Sequence, residues 1–251
     1  MERTKYERYT RQVIIPRFGT SGQENLDRAS VLVVGCGGLG CTIIQILARA
    51  GLGKLVLCDE DRVQLTDLHR QVCYDESHIG EYKAQAAAKV LGKINSQITI
   101  AWHVAKVNRQ NIDKFAAGVD LIIDATDNLA ARNMINRYAV EAQKDWIYGG
   151  CREFAGTVML VRPTAGACLS CVFGNIDEAN SAEPPGPIPI IGSLPVLVGT
   201  LQANEVIRYV AWPDRRDAAS KLITVDLTVP RVNTMKGLKK NTECRLCNPS
   251  V

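Results

Sequence analysis

The stretch VLVVGCGGLG, residues 31–40, decides how the chain is read. Four apolar residues, Val31, Leu32, Val33 and Val34, run straight into a glycine-rich turn, and a helix-forming segment follows at residues 39–50. A short apolar run ended by glycine predicts a strand covered on both faces. Gly35, Gly37 and Gly40 fit the spacing GxGxxG, with Gly38 as an extra glycine. Glycine lets the backbone approach a phosphate closely, and the helix behind it offers unpaired N–H groups and the positive end of its dipole. Asp59 ends the next predicted strand, residues 54–58, where a carboxylate accepts hydrogen bonds from ribose hydroxyls. The motif predicts a nucleotide site and, taken alone, favours NAD over ATP.

Outward from this turn the same grammar repeats. Residues 82–94 predict a helix, 97–103 a strand, 111–117 a short helix, 119–124 a strand ending in an acid, 129–143 a helix and 146–148 a short strand. This alternation predicts an α/β fold, a Rossmann-like, mostly parallel sheet with helices on both faces. After Gly150 the pattern changes. Residues 157–161 predict a strand, the run EPPGPIP at 183–189 is incompatible with regular structure, and residues 194–211 predict a helix. Strands at 221–227 and 231–235 predict an antiparallel C-terminal portion. The expected organisation is one continuous domain, 1–251. It comprises an N-terminal segment (1–30, helical in parts), a nucleotide-binding core (31–150) and a C-terminal portion (151–251).

Composition narrows the partners. The chain has 251 residues, 46% of them hydrophobic, so a full core is expected rather than disorder. Thirty basic residues against 26 acidic ones leave a net charge of +4, too balanced to indicate a nucleic-acid or membrane partner. No apolar run approaches the roughly 20 residues needed to cross a bilayer. The charged start MERTKYERYTRQ is no export signal, and a cytoplasmic location is expected.

Nine cysteines with no export signal argue against a disulfide framework. Cys36, Cys41, Cys58, Cys73 and Cys151 sit in apolar contexts and read as small core residues. The other four form two CxxC pairs, Cys168–Cys171 and Cys244–Cys247. Two such pairs complete a tetrahedral four-cysteine zinc site, closed and therefore structural, whereas a redox role would need two unusual dithiols. The zinc would pin the C-terminal tail. His69, His78 and His103 show no ligand spacing.

Three charged residues favour ATP over NAD. Arg70 lies in TDLHRQ, Lys83 opens a helix and Asp127 follows a strand in DATDN, all at predicted C-terminal strand ends. A hydride transfer gives these cations no task. Attack on a phosphate does, because charge builds on the phosphoryl oxygens, and an acid can hold the Mg²⁺ that bridges them. Each residue alone has a plainer reading: a surface arginine, a solvated lysine, a helix cap. Together they flank one crevice.

The segments RYTRQVIIPRFG, GCGGLG, LCDED, LHRQ, the Lys83 segment, DATDN, IGSLPVLVGTLQANEVIRY and the paired CxxC run nearly the length of the chain. In that order they resemble the MoeB/ThiF family, relatives of the ubiquitin-activating enzymes. The resemblance implies an adenylyltransferase that uses ATP and Mg²⁺ on a ubiquitin-like sulfur carrier protein ending in Gly-Gly. The products are an acyl-adenylate and pyrophosphate, for later sulfur transfer in molybdenum cofactor or thiamine biosynthesis. The sulfur donor would be a separate protein, such as a cysteine desulfurase or a rhodanese. By position, Gly35, Gly37, Gly38 and Gly40 hold the phosphates, Asp59 and Asp61 lie at the ribose, and Thr66, Asp67, Leu68, His69 and Arg70 line the nucleotide. Lys83 balances charge at the α-phosphate, and Asp127 takes Mg²⁺ with Asn128 beside it. Arg11 acts in trans, which implies a homodimer.

Two departures stand out. Family members commonly carry Asn where this chain has Asp67, an extra negative charge beside a triphosphate. Many relatives also place a cysteine in the crossover loop, whereas residues 175–189 contain none, so the expected output is the adenylate without a covalent carrier link. Three other readings are kept: a relative that activates a peptide or a tRNA-bound carboxylate, an NAD-dependent oxidoreductase, and a non-catalytic scaffold.

Overall fold

The computed structural model describes residues 6–174, 186–215 and 219–248. Strands β1 (Ser30–Val34), β2 (Lys54–Cys58), β3 (Thr99–His103), β4 (Leu121–Asp124) and β5 (Trp146–Arg152) run parallel. Strands β6 (Ala155–Val161), β7 (Ser220–Asp226) and β8 (Arg231–Leu238) then continue the same sheet antiparallel. The spatial order is β3-β2-β1-β4-β5-β6-β7-β8, eight strands among the described residues. The expected α/β sheet is therefore present, with its antiparallel portion joined edge to edge.

Helices cover both faces. On one side lie α2 (Gly19–Arg28), α3 (Gly38–Ala50), α4 (Lys83–Ile94) and a long C-terminal helix described below; on the other lie α5 (Ile112–Ala116), α6 (Leu129–Glu141) and α7 (Leu169–Phe173). A short helix, α1 (Thr10–Val13), precedes α2, and α8 (Ser193–Ala211) is the long one. All five residues of β1 are buried, as two covered faces require. Two apolar cores result, one per face, the first built around Leu26, Val31, Ile43 and Val198, the second around Leu32, Ile122, Trp146 and Met159.

Two boundaries differ from expectation for a packing reason. The strand that begins at residue 146 runs on to Arg152, past the change of pattern after Gly150, and β6 starts at Ala155 rather than at residue 157. Their hairpin pairs residue for residue from Trp146↔Val161 to Arg152↔Ala155. The glycines that suggested a break are there for space, since a Cβ on Gly149 would overlap the Gln202 amide of α8. The proline-rich run is described from residue 186, where it has no regular structure up to residue 189. The remainder of the 175–189 loop lies outside the described residues.

Strand order reverses between β1 and β4, so the crevice opens beyond their C-terminal ends. The β1 turn and the DATDN segment meet there.

Candidate functional site

Four glycines build the floor, for two different reasons. Gly35 has φ +97°, a conformation that side chains avoid, and a Cβ there would lie 2.7 Å from the Ala125 carbonyl oxygen. A Cβ on Gly40 would overlap the Gly35 carbonyl, so this glycine brings α3 onto the turn. Gly37 and Gly38 instead leave backbone bare. Their Cβ positions face the Gln71 side chain at 3.6 Å, and Pro195 at 3.1 Å with Arg70 Cγ at 3.7 Å. Gly37 is the N-cap of α3 and supplies no side-chain cap, so the first N–H groups of the helix are left for an anion.

Asp59 ties this turn to β2. Its carboxylate accepts from Cys36 N at 2.7 Å and Asp61 N at 2.8 Å. Burial raises its pKa, partly offset by these two hydrogen bonds. The Tyr74 hydroxyl donates to the Cys36 and Lys83 carbonyls, joining the turn to the start of α4.

The cations are held by carboxylates. Lys83 is buried, with Nζ 3.3 Å from Asp61 Oδ2 and 3.5 Å from Asp67 Oδ2. Burial works against its charge, yet Asp59, Asp67 and Asp61 together keep its pKa raised. The Arg70 guanidinium donates to the Thr66 carbonyl at 2.7 Å, to His69 Nε2 at 2.9 Å and to Asp67 Oδ1 at 3.2 Å. Gln71 adds a bond to Asp67 Oδ1 at 2.8 Å, and Asp67 Oδ2 caps its own turn by accepting from Gln64 N at 3.1 Å. The extra charge noted in the sequence is thus compensated by Arg70 and Lys83. Thr66 and His69 are exposed and Leu68 is half-buried against the core.

At the β4 end, Asp127 is exposed, and Asn128 rather than Asp127 caps α6, accepting from Ala131 N at 2.9 Å. Behind them, Asp124 is fully buried. It accepts from Thr126 N and Oγ1, and its Oδ2 lies 3.8 Å from Arg132 Nε. Burial pushes Asp124 up to about 6, despite the opposing pull of Arg132. Gln202 reaches across from α8 to the Asp124 carbonyl at 2.8 Å.

Arg11 is exposed and stands apart from this cluster. Its neighbour Gln12 donates to the Ala50 carbonyl at the C-terminal end of α3. The glycine turn is at the other end of that helix, roughly 18 Å away at 1.5 Å per residue. Within one chain, Arg11 belongs to the wrong end.

The four paired cysteines do converge. Sγ separations are 3.6 Å for Cys168–Cys171 and 3.7 Å for both Cys168–Cys244 and Cys171–Cys247, all four atoms lying within 4.8 Å. A tetrahedron of thiolates about 2.3 Å from zinc has edges near 3.8 Å, so the donor set fits that ion. The S–H of Cys168, donated to Cys171, lowers the pKa of the Cys171 thiol. Asn136 of α6, buried, anchors the first pair by accepting from Leu169 N and donating to Ser170 Oγ. Cys36, Cys41, Cys58 and Cys73 are buried core residues; burial pushes Cys58 and the half-buried Cys151 up to about 12, leaving both as thiols.

Sequence reading missed Gln71, Tyr74, Arg132, Asn136 and Gln202. Gln71 and Gln202 stood inside the quoted segments LHRQ and GTLQA. Nothing local marked Tyr74 or Asn136, whose partners are distant in sequence.

A family model described as the ThiF family matches residues 9–246. The "Adenylyltransferase and sulfurtransferase MOCS3" of Culex quinquefasciatus is 34% identical over 246 residues, covering 97% of this chain and 56% of that protein. The "Sulfur carrier protein adenylyltransferase" of Thermus thermophilus is 33% identical over 252 residues, covering 96% of this chain and 90% of that protein. The chain spans a little over half the length of the MOCS3 protein it matches. Among solved structures, E. coli MccB superposes with a TM-score of 0.83 at 23% identity, covering 98% of this chain and 73% of that one, a likeness of fold. Among the described residues no helix is long and apolar enough to cross a membrane.

Proposed function

The chain belongs to the ThiF family, and from that premise we propose that it is an ATP-dependent adenylyltransferase acting on the C-terminal Gly-Gly carboxylate of a ubiquitin-like sulfur carrier. One observation carries the reading: two cations, Arg70 and Lys83, are packed beside an uncapped glycine turn at the switch point of the sheet. Hydride transfer has no use for them, whereas phosphate chemistry does.

The carrier carboxylate attacks the α-phosphorus of ATP. A carboxylate–phosphorus bond forms, the α–β bridge breaks and pyrophosphate leaves. The α3 N-terminus and Gly37 and Gly38 receive phosphate oxygens through backbone N–H groups. Lys83 and Arg70 offset the charge that grows as the bridge breaks, and Asp59 accepts from the ribose with Asp61 beside it. Asp127, with Asn128 next to it, would hold Mg²⁺, which supplies Lewis-acid neutralisation of the phosphates when bound. Cys168, Cys171, Cys244 and Cys247 would hold a structural zinc ion. AMP then serves as leaving group when a sulfur donor, a cysteine desulfurase or a rhodanese, converts the carboxylate.

Arg11 completes the site from a second copy of the chain. Its distance from its own phosphate turn supports this, as do the exposed Ile14 and Ile15 beside it, which a homodimer would cover. The test is ATP–pyrophosphate exchange with candidate Gly-Gly carriers, run on wild type, Arg11→Ala, Lys83→Met and a mixture of the two variants. Each variant alone is expected to lose exchange by roughly 10³-fold or more. The mixture is expected to recover a sizeable fraction, because a mixed dimer holds one intact composite site. Full activity of Arg11→Ala removes the trans role, and wild type inactive with every carrier removes the function.

A further inference from the structure

Asp67 stands out among the carboxylates around Lys83. Asp61 is 66% exposed, so water screens its pull on Lys83. Asp59 exerts the largest electrostatic pull on Lys83, while its own hydrogen bonds run to the Cys36 and Asp61 amides. Asp67 is 6% exposed and faces both cations, Oδ1 toward Arg70 at 3.2 Å and Oδ2 toward Lys83 at 3.5 Å. Gln71 and the Gln64 amide fix it in that pose. Arg70 in turn lies against the bare turn, with its Cγ 3.7 Å from the Gly38 Cβ position.

We infer that Asp67 sets the affinity of this site: it is an internal anion that occupies Arg70 and Lys83 in the nucleotide-free protein and competes with incoming polyphosphate. A carboxylate offers those cations what a phosphate offers, anionic oxygens at hydrogen-bond range. Nucleotide binding therefore exchanges one anion for another instead of filling a bare positive pocket. Asp67 and Lys83 are themselves buried, so water screens this fixed charge less than it screens Asp61. The consequence is weaker ATP binding together with easier departure of pyrophosphate, since Asp67 recaptures the cations. The identity of the polyphosphate rests on the adenylyltransferase reading; the competition itself does not.

The test is calorimetric titration of the full chain, without carrier, using Mg·ATP, inorganic pyrophosphate and adenosine as separate probes. Asp67→Asn keeps size and one oxygen acceptor. Asp67→Ser keeps an oxygen acceptor near the Gln64 amide and serves as the second variant. Both are expected to bind ATP and pyrophosphate roughly tenfold more tightly than wild type. Adenosine affinity should not change, and the gain should shrink as salt is raised. A purely structural role would weaken all three probes together. Unchanged or weaker pyrophosphate binding in the folded variants, with adenosine binding intact, overturns the inference and leaves the functional reading standing. Wild type that binds neither ATP nor pyrophosphate overturns both.

Discussion

The glycine turn and the cysteine cluster each gather residues from distant parts of the chain, and they do it by opposite means. At the turn, opposite charges hold one another: Lys83 and Arg70 rest on Asp67, and Arg70 keeps 27% of its side chain exposed. Such pairs can trade partners, because a phosphate satisfies the cations as well as a carboxylate does. At the cluster, four like donors face one point at 3.6–3.7 Å along the measured edges. They have nothing to offer one another beyond weak thiol hydrogen bonds, and they suit a single shared cation. On the proposed reading, the site that turns over is built from exchangeable pairs and the closed one from identical ligands.

The comparison breaks most decisively at Lys83. Lys83→Met keeps the buried stem and removes the charge, so exchange should fall by roughly 10³-fold while the melting temperature moves by only a few degrees. A large stability loss with residual activity would mean that the two regions do not divide chemistry from structure. The reverse is expected of Cys168→Ser. Zinc content, read by atomic absorption, should fall from one per chain to near zero, and thermal unfolding should drop by roughly 10 °C, for a loss of several kcal/mol. The folded variant should still bind ATP at low temperature; stoichiometric zinc in the variant would refute the assignment.

Asp124 sharpens the contrast, being a buried charge that belongs to neither set. Its carboxyl titrates at about 6 in the folded chain against an ordinary value of 3.8, so the folded state holds a proton that the unfolded state has released. Stability from this group is present below about pH 4 and is lost as pH rises through 6. Relative to Asp124→Asn, wild type should lose roughly 2–3 kcal/mol between pH 4 and 7, measured by urea unfolding without Mg²⁺. A constant difference across that window would show that Arg132 keeps the group ionised.

Much of this was legible in the sequence, and the reasons are physical. Strands β1, β2 and β4 are short apolar runs ended by glycine or an acid, and such runs declare themselves. GxGxxG and Asp59 sit at strand ends that the alternation locates, whereas Arg70 lies in the loop beyond β2 and Lys83 opens α4; their roles stand as proposals. The length of β5 could not be read, because Gly149 and Gly150 signal a break locally while answering to the Gln202 amide and the Tyr148 ring. The state of Asp67 was equally hidden. An added negative charge beside a phosphate site looks like a liability until the turn at residues 65–67 brings its partners round to meet it. Likewise, DATDN contains two acids and an amide, and only the backbone shows that Asn128 takes the cap, Asp124 the interior and Asp127 the open side.

The outer strand β8 carries one more consequence. It is exposed along almost its whole length and leaves a row of backbone donors and acceptors facing solvent. Its pairing slips opposite Ser220–Leu222, and Gly237 turns left-handed at φ +71°. A kinked selvedge of this kind lets a foreign strand zip on for only a few rungs before the rungs fall out of step, so the sheet ends here without inviting fibres.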